Sequence, residues 1–198
     1  MSAGFTNMKE LVMANRSYRG YDESRRVTRE ELLEMVDCAR LTASSVNQQP
    51  LCYYLAYEKE DVDRIQPLTK WARGLPDMEL PHPGMCPTAF IVICQDKRVS
   101  DALSRFSRDV GIVAQTILLC ATEMGLGGCM IGNFSPAQIS DAAQLPEYVA
   151  PLLVVAMGKP AEKVVMTEIG PDEPTNYYRD ENDTHYVPKR RLKDIVIN

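Results

Sequence analysis

Near the N-terminus, Asn15-Arg16-Ser17-Tyr18-Arg19 sets two guanidiniums and a serine hydroxyl within five residues. The planar donor fork of arginine fits a phosphate or a carbonyl edge, and the serine adds a neutral donor. A second cationic run, Lys189-Arg190-Arg191, lies at the other end of the chain. Between the two is Thr42-Ala43-Ser44-Ser45-Val46-Asn47-Gln48-Gln49-Pro50, a loop dense in hydroxyls and amides. Such a loop either faces water or turns several donors and acceptors onto one polar heterocycle. Gly132 follows a short apolar run and allows a ligand to come close to the backbone. Basic residues at helix ends are also commonly just solvated. The residue types and spacings therefore leave two readings open, a solvated surface or a cradle for an anionic or polar ligand.

Other chemistries find no residues to carry them. The chain has six cysteines, two histidines and no C-x-x-C spacing, so no metal-ligand set can be assembled. The cysteines sit mostly in apolar runs and read as small hydrophobes. Gly125-Leu126-Gly127-Gly128 follows a helical pattern, whereas a G-x-G-x-x-G dinucleotide fingerprint follows a strand and opens a helix. A net charge of −5 argues against general nucleic-acid binding. The sequence shows no signal-peptide pattern and no apolar run near about 18 residues, which sets the expectation of a cytoplasmic, thiol-reduced protein.

The elements that must position these residues are readable from periodicity. Thr6 to Ala14 is expected to form a helix capped by Thr6, with Met8, Leu11 and Val12 on one face. Thr28-Arg29-Glu30-Glu31 is a capping box opening a helix to about Leu41, with Leu32, Leu33, Val36 and Ala39 buried. Leu51–Tyr57 reads as a strand, Asp61–Leu68 as a short surface helix, and Thr88–Cys94 as a central strand buried on both faces. Asp101–Met124 is the longest helical pattern, stopped by Gly125. Ser135-Pro136 starts another helix, and Pro151–Met157 is a strand closed by Gly158-Lys159-Pro160.

Thr69–Pro87, with four prolines and the only tryptophan, Trp71, is either disordered or a lid over a site. From Ala161 the chain has no core-forming period until Leu192–Ile197, which reads as a short final strand. The prediction is one α+β domain over 1–198, with a central sheet flanked by helices. Residues from about 161 to 198 form an extended arm that wraps a partner subunit.

Four segments in this order resemble the nitroreductase family. Arg16-Ser17-Tyr18-Arg19 is similar to the family's Arg-Ser-x-Arg, and Ala43 to Pro50 to its Pro-Ser-Ser-x-Asn-x-Gln-Pro loop. Gly125 to Phe134 resembles its Gly-Leu-Gly segment, and Lys189-Arg190-Arg191 its basic C-terminal pair. The resemblance implies a nitroreductase-like fold with a mostly antiparallel central sheet, and an FMN-dependent homodimer with NADH or NADPH as electron donor and two flavin sites at the interface. It implies that Arg16, Ser17 and Arg19 hold the FMN phosphate, ribityl chain or pyrimidine edge, joined at the phosphate by Lys189 and Arg191. Ser44, Ser45, Asn47 and Gln49 would reach the flavin of the other subunit, and Ile131, Gly132 and Asn133 would lie against its ring. The implied activity is ping-pong hydride transfer through flavin N5 to a nitroaromatic, quinone or similar small-molecule acceptor. The alternatives are other flavin chemistry, such as dehalogenation or flavin fragmentation, or a non-catalytic flavin-binding dimer. Three positions depart from the family pattern: Asn15 stands for a frequent arginine, Ala43 for proline, and Gly132 for a glutamate found in some members.

Overall fold

A computed structural model describes residues 4–198. The body is a three-layer α+β arrangement around one antiparallel sheet. Its helices are α1 (Met8–Ala14), α2 (Arg29–Arg40), α3 (Lys59–Ile65), α4 (Ser107–Glu123) and α5 (Pro136–Ala142). Its strands are β1 (Tyr21–Asp22), β2 (Leu51–Ala56), β3 (Ala89–Asp96), β4 (Gly127–Ile131) and β5 (Val149–Pro160). Strand β5 pairs with β3, β4 and β1, and β2 adds to the far side of β3. Every one of these pairings is antiparallel.

The period-2 alternation of β3 explains the layers. Ile91 and Ile93 face Leu32, Met35, Val113 and Ile117 of α2 and α4. Phe90 and Val92 face the opposite way, onto Ile65 of α3 and Ile139 of α5. A strand covered on both faces must be apolar along the covered stretch, as β3 is from Ala89 to Cys94. Thr28 makes both bonds of the capping box with Glu31, and Leu32, Met35 and Ala39 form the buried stripe of α2. Leu33, expected inside, is exposed because it lies beyond that stripe.

Four local expectations are corrected. Asn7, not Thr6, caps α1, since its side chain reaches the Glu10 amide. No residue of α1 is buried, and Met8 and Val12 are exposed. Strand β5 does not close at Gly158 but runs to Pro160, because β1 pairs with its last two residues. Gly158 is there for packing: a Cβ on it would lie 2.7 Å from the Tyr21 ring. Leu192–Asp194 is a 3-10 turn, not a final strand.

The arm also folds more than its sequence suggests. Strands β6 (Val164–Ile169), β7 (Tyr178–Arg179) and β8 (His185–Arg190) make a second sheet, with β8 parallel to β6 and antiparallel to β7. Ile169, Thr184 and His185 are buried in it. A buried ion pair braces the arm internally, and its carboxylate also ties the arm to the body. Glu162 and Arg179 form an ion pair whose side chains are each 2% exposed, and Glu162 also accepts from the Arg19 amide. No helix among the described residues is long and apolar enough to cross a membrane.

Candidate ligand groove

The Asn15–Arg19 stretch is held by its backbone. The amide of Tyr18 donates to Gly128 O of β4 at 3.1 Å, and Ser17 bridges to Gly128. The hydroxyl of Tyr18 donates to Ala14 O at 2.9 Å, and that of the fully buried Tyr21 to Tyr18 O at 2.6 Å. Burial raises the pKa of both phenols, so both stay donors. The close contact with β4 is possible because Gly127 has no Cβ, which would meet the Tyr18 ring at 2.6 Å.

Anchored this way, the stretch lines a cavity of about 340 Å³. Asn15, Arg16, Ser17 and Arg19 form one wall, and Tyr177, His185 and Lys189 of the arm face them. An adjoining hollow of about 560 Å³ shares Arg19, Met130 and Tyr177 with the first. It is lined further by Trp71, Arg73 and the segment Ile131, Gly132 and Asn133. The two hollows form one groove. A Cβ built on Gly132 meets nothing within 4 Å, so its missing side chain leaves the groove open. The 69–87 segment is docked at this groove: Lys70 N donates to Asn133 O at 3.0 Å, and Gly74 N to the Tyr177 hydroxyl at 3.0 Å. Trp71, half-buried, donates from Nε1 to Thr69 Oγ1 at 2.8 Å.

The electrostatics of the first cavity are lopsided. Among the described residues, Arg16, Arg19 and Lys189 line it and no carboxylate does. Burial pulls the Arg16 pKa below its usual value, the mark of a cation short of compensation. His185 is 1% exposed, and burial with the nearby Arg19 and Arg179 pushes its pKa down to about 4, against a weaker pull from Asp183. It is therefore neutral near pH 7. Three groups lining the cavity hold buried polar atoms without a partner among the described residues: Asn15 Nδ2, Arg19 Nε and both ring nitrogens of His185. A buried unpaired polar atom costs about 1–3 kcal/mol, so a cluster of them around a cavity signals a polar occupant. Cations together with unsatisfied donors fit an anionic group such as a phosphate monoester.

The sequence expectations divide cleanly. Arg16, Ser17, Arg19, Ile131, Gly132, Asn133 and Lys189 come together along the groove. Arg191 does not line it; its Nε donates to Asp194 Oδ2 at 2.9 Å, beside Gly170. Ser44, Ser45, Asn47 and Gln49 lie apart from the groove within the one chain. Ser44 Oγ donates to the buried Asp109 at 2.7 Å, and the Ser45 amide to the same oxygen at 2.9 Å. This loop is held in an uncommon shape, with Val46, Asn47 and Gln49 all at positive φ. Asp109 is the keystone that sequence reasoning missed, and it shows as an acidic residue on the apolar face of a helix. Tyr177 and His185 were missed as well. They belong to no motif, and only the folding of the arm brings them to Arg19.

The sequence and the fold are similar to those of known proteins. The family model described as Nitroreductase family matches residues 12–159. The FMN reductase [NAD(P)H] of Bacillus subtilis is 26% identical over 193 residues, covering 86% of this chain and 74% of that protein. The crystal structure of a nitroreductase family protein from Clostridium difficile superposes with a TM-score of 0.64 at 25% identity, covering 79% of this chain and 86% of that one. The NADPH:FMN oxidoreductase of Vibrio harveyi, complexed with NAD+, superposes with a TM-score of 0.61 at 25% identity, covering 78% and 69%.

Proposed function

From the premise that this chain belongs to the nitroreductase family, an oxidoreductase family, we propose that it is an FMN-dependent oxidoreductase. It takes a hydride from NADH or NADPH and delivers it, in a ping-pong sequence, to a nitroaromatic, quinone or similar conjugated acceptor. The observation that carries this reading is the cation-lined cavity with its unpaired polar atoms, opening beside a backbone that Gly132 leaves uncovered.

FMN, when bound, supplies the ring position that accepts and returns the hydride. The chain supplies position and charge. Arg16, Arg19 and Lys189 neutralise the phosphate, each through charge-assisted bonds of about 1.5–3 kcal/mol. The amide of Asn15 and the hydroxyl of Ser17 add neutral donors to the same wall. Ile131, Gly132 and Asn133 offer main chain, not side chain, to the flat ring. Trp71 and Tyr177 border the outer hollow, where planar donor and acceptor take turns. Ser44, Ser45, Asn47 and Gln49 serve the groove of a second copy, and this needs a homodimer. The exposed apolar residues Met8, Val12 and Met13 of α1 and Ile112 of α4 support such an interface.

Purified protein should be yellow, with a flavin absorption band that bleaches under NADH or NADPH without oxygen and returns with a quinone. A colourless preparation that takes up no added FMN overturns the proposal.

A further inference from the structure

We infer that His185 is a contact for the anionic end of the bound flavin, and that it gains a proton from solvent when that anion enters the cavity. The inference rests on the FMN reading above and goes beyond it, because a neutral buried histidine is assigned a charge that appears only in the complex.

The geometry carries the argument. His185 begins β8 and its backbone is fixed, with its amide donating to Lys163 O at 2.9 Å. Its ring is 1% exposed, packs edge-on to Tyr177 at 5.3 Å between centroids, and lines the cavity with Arg16, Arg19 and Lys189. Neither ring nitrogen has a partner among the described residues, although an imidazole normally uses both when buried. The charged groups facing it are Arg19 across the cavity, Arg179 on β7, and Asp183 in the turn before β8. Asp183 is already engaged by Arg179 at 2.9 Å and by His82 at 3.2 Å, and Glu162 by Arg179. Among the described residues no carboxylate is left over to charge the ring, so burial and two neighbouring guanidiniums keep it neutral. A phosphate placed among Arg16, Arg19 and Lys189 reverses that field and offers the acceptor that an imidazolium donor needs. Arginine and lysine are already fully protonated near neutrality, so among the titratable groups lining the cavity His185 is the one able to gain a proton there.

The chain has only two histidines, which makes the test direct. In a His82→Gln background the single remaining imidazole is His185, and its ring C–H resonance reports its protonation. On adding FMN to apo-protein at pH 7, this resonance should move from the neutral to the imidazolium position. Riboflavin, which lacks the phosphate, should leave it neutral. Calorimetry of FMN binding in buffers of different ionisation enthalpy should give net proton uptake. The phosphate alone can only release protons, because its second pKa near about 6 falls among cations. His185→Gln should still bind FMN, about tenfold more weakly, with the uptake abolished. A ring signal that stays neutral in saturated complex overturns the inference, as does uptake that survives in His185→Gln or appears with riboflavin. Absence of FMN binding by the unaltered protein at any pH would instead overturn the functional reading beneath it.

Discussion

The groove wall that carries Arg16, Arg19 and Gly132 leans on a five-stranded sheet covered by helices on both faces. The facing wall, with Tyr177, His185 and Lys189, leans on three short strands braced internally by the Glu162–Arg179 ion pair. These are tied to the body by contacts such as Arg19 N to Glu162, Gly74 N to the Tyr177 hydroxyl and His82 to Asp183. The body wall is set by apolar packing, which is non-directional but large in sum. The arm wall is set by a few directional contacts, each expensive to break. The same cavity is thus rigid on one side and conditionally assembled on the other. The family match, over residues 12–159, covers the rigid side and ends before the arm.

This contrast can be broken or sharpened in four ways. The largest effect is expected on the body wall. Arg16→Ala with Arg19→Ala removes two charge-assisted contacts, about 3–6 kcal/mol, or roughly 10²–10⁴-fold in FMN affinity. The circular dichroism spectrum should be unchanged while the flavin content collapses. Full flavin content would mean that the body wall does not hold the cofactor.

Next is Glu162→Gln, which leaves Arg179 buried with only the half-exposed Asp183. The expected cost is about 3–5 kcal/mol, concentrated in the arm. Limited proteolysis should then cut within 161–190 while the body resists. An arm as resistant as before would show that its strands, not this pair, hold it.

Third is pH. His185 has its folded pKa depressed to about 4, against about 6.5 when unfolded. Below 6.5 the unfolded chain takes a proton that the folded chain refuses. This stabilising contribution is complete above pH 6.5 and is lost as pH falls toward 4, by about 3 kcal/mol at most. Urea midpoints of apo-protein at pH 7 and 4.5 should differ more for the unaltered chain than for His185→Gln. Equal differences would remove His185 as the source. The smallest effect is expected from Lys189→Met, an exposed cation at the rim, at about tenfold in FMN affinity and with marked salt dependence.

The same contrast explains what could be read in the sequence. The body is written in local patterns: the Thr28–Glu31 capping box, the β-branched run of β3 and Ser135-Pro136 before α5 all form as their spacing implies. The arm is not, because its sheet is stabilised by polar partners far apart in the chain. Glu162 and Arg179 are 17 residues apart, and Arg19 reaches Glu162 across 143. No hydrophobic period records such pairs, so the segment reads as structureless. The cationic motifs were legible as residue types, yet nothing local distinguishes Lys189, which lines the groove, from Arg191, which pairs with Asp194.

Trp71 has a practical consequence of its own. It is the chain's sole tryptophan, and it borders the outer hollow beside Arg73 and Asn133. All of the protein's indole fluorescence therefore originates at the mouth of the groove. An isoalloxazine ring seated along Ile131–Asn133 would absorb that emission at close range. Quenching would then report occupancy continuously, without labels or a coupled assay, and recovery of the signal on dilution would give the release rate directly.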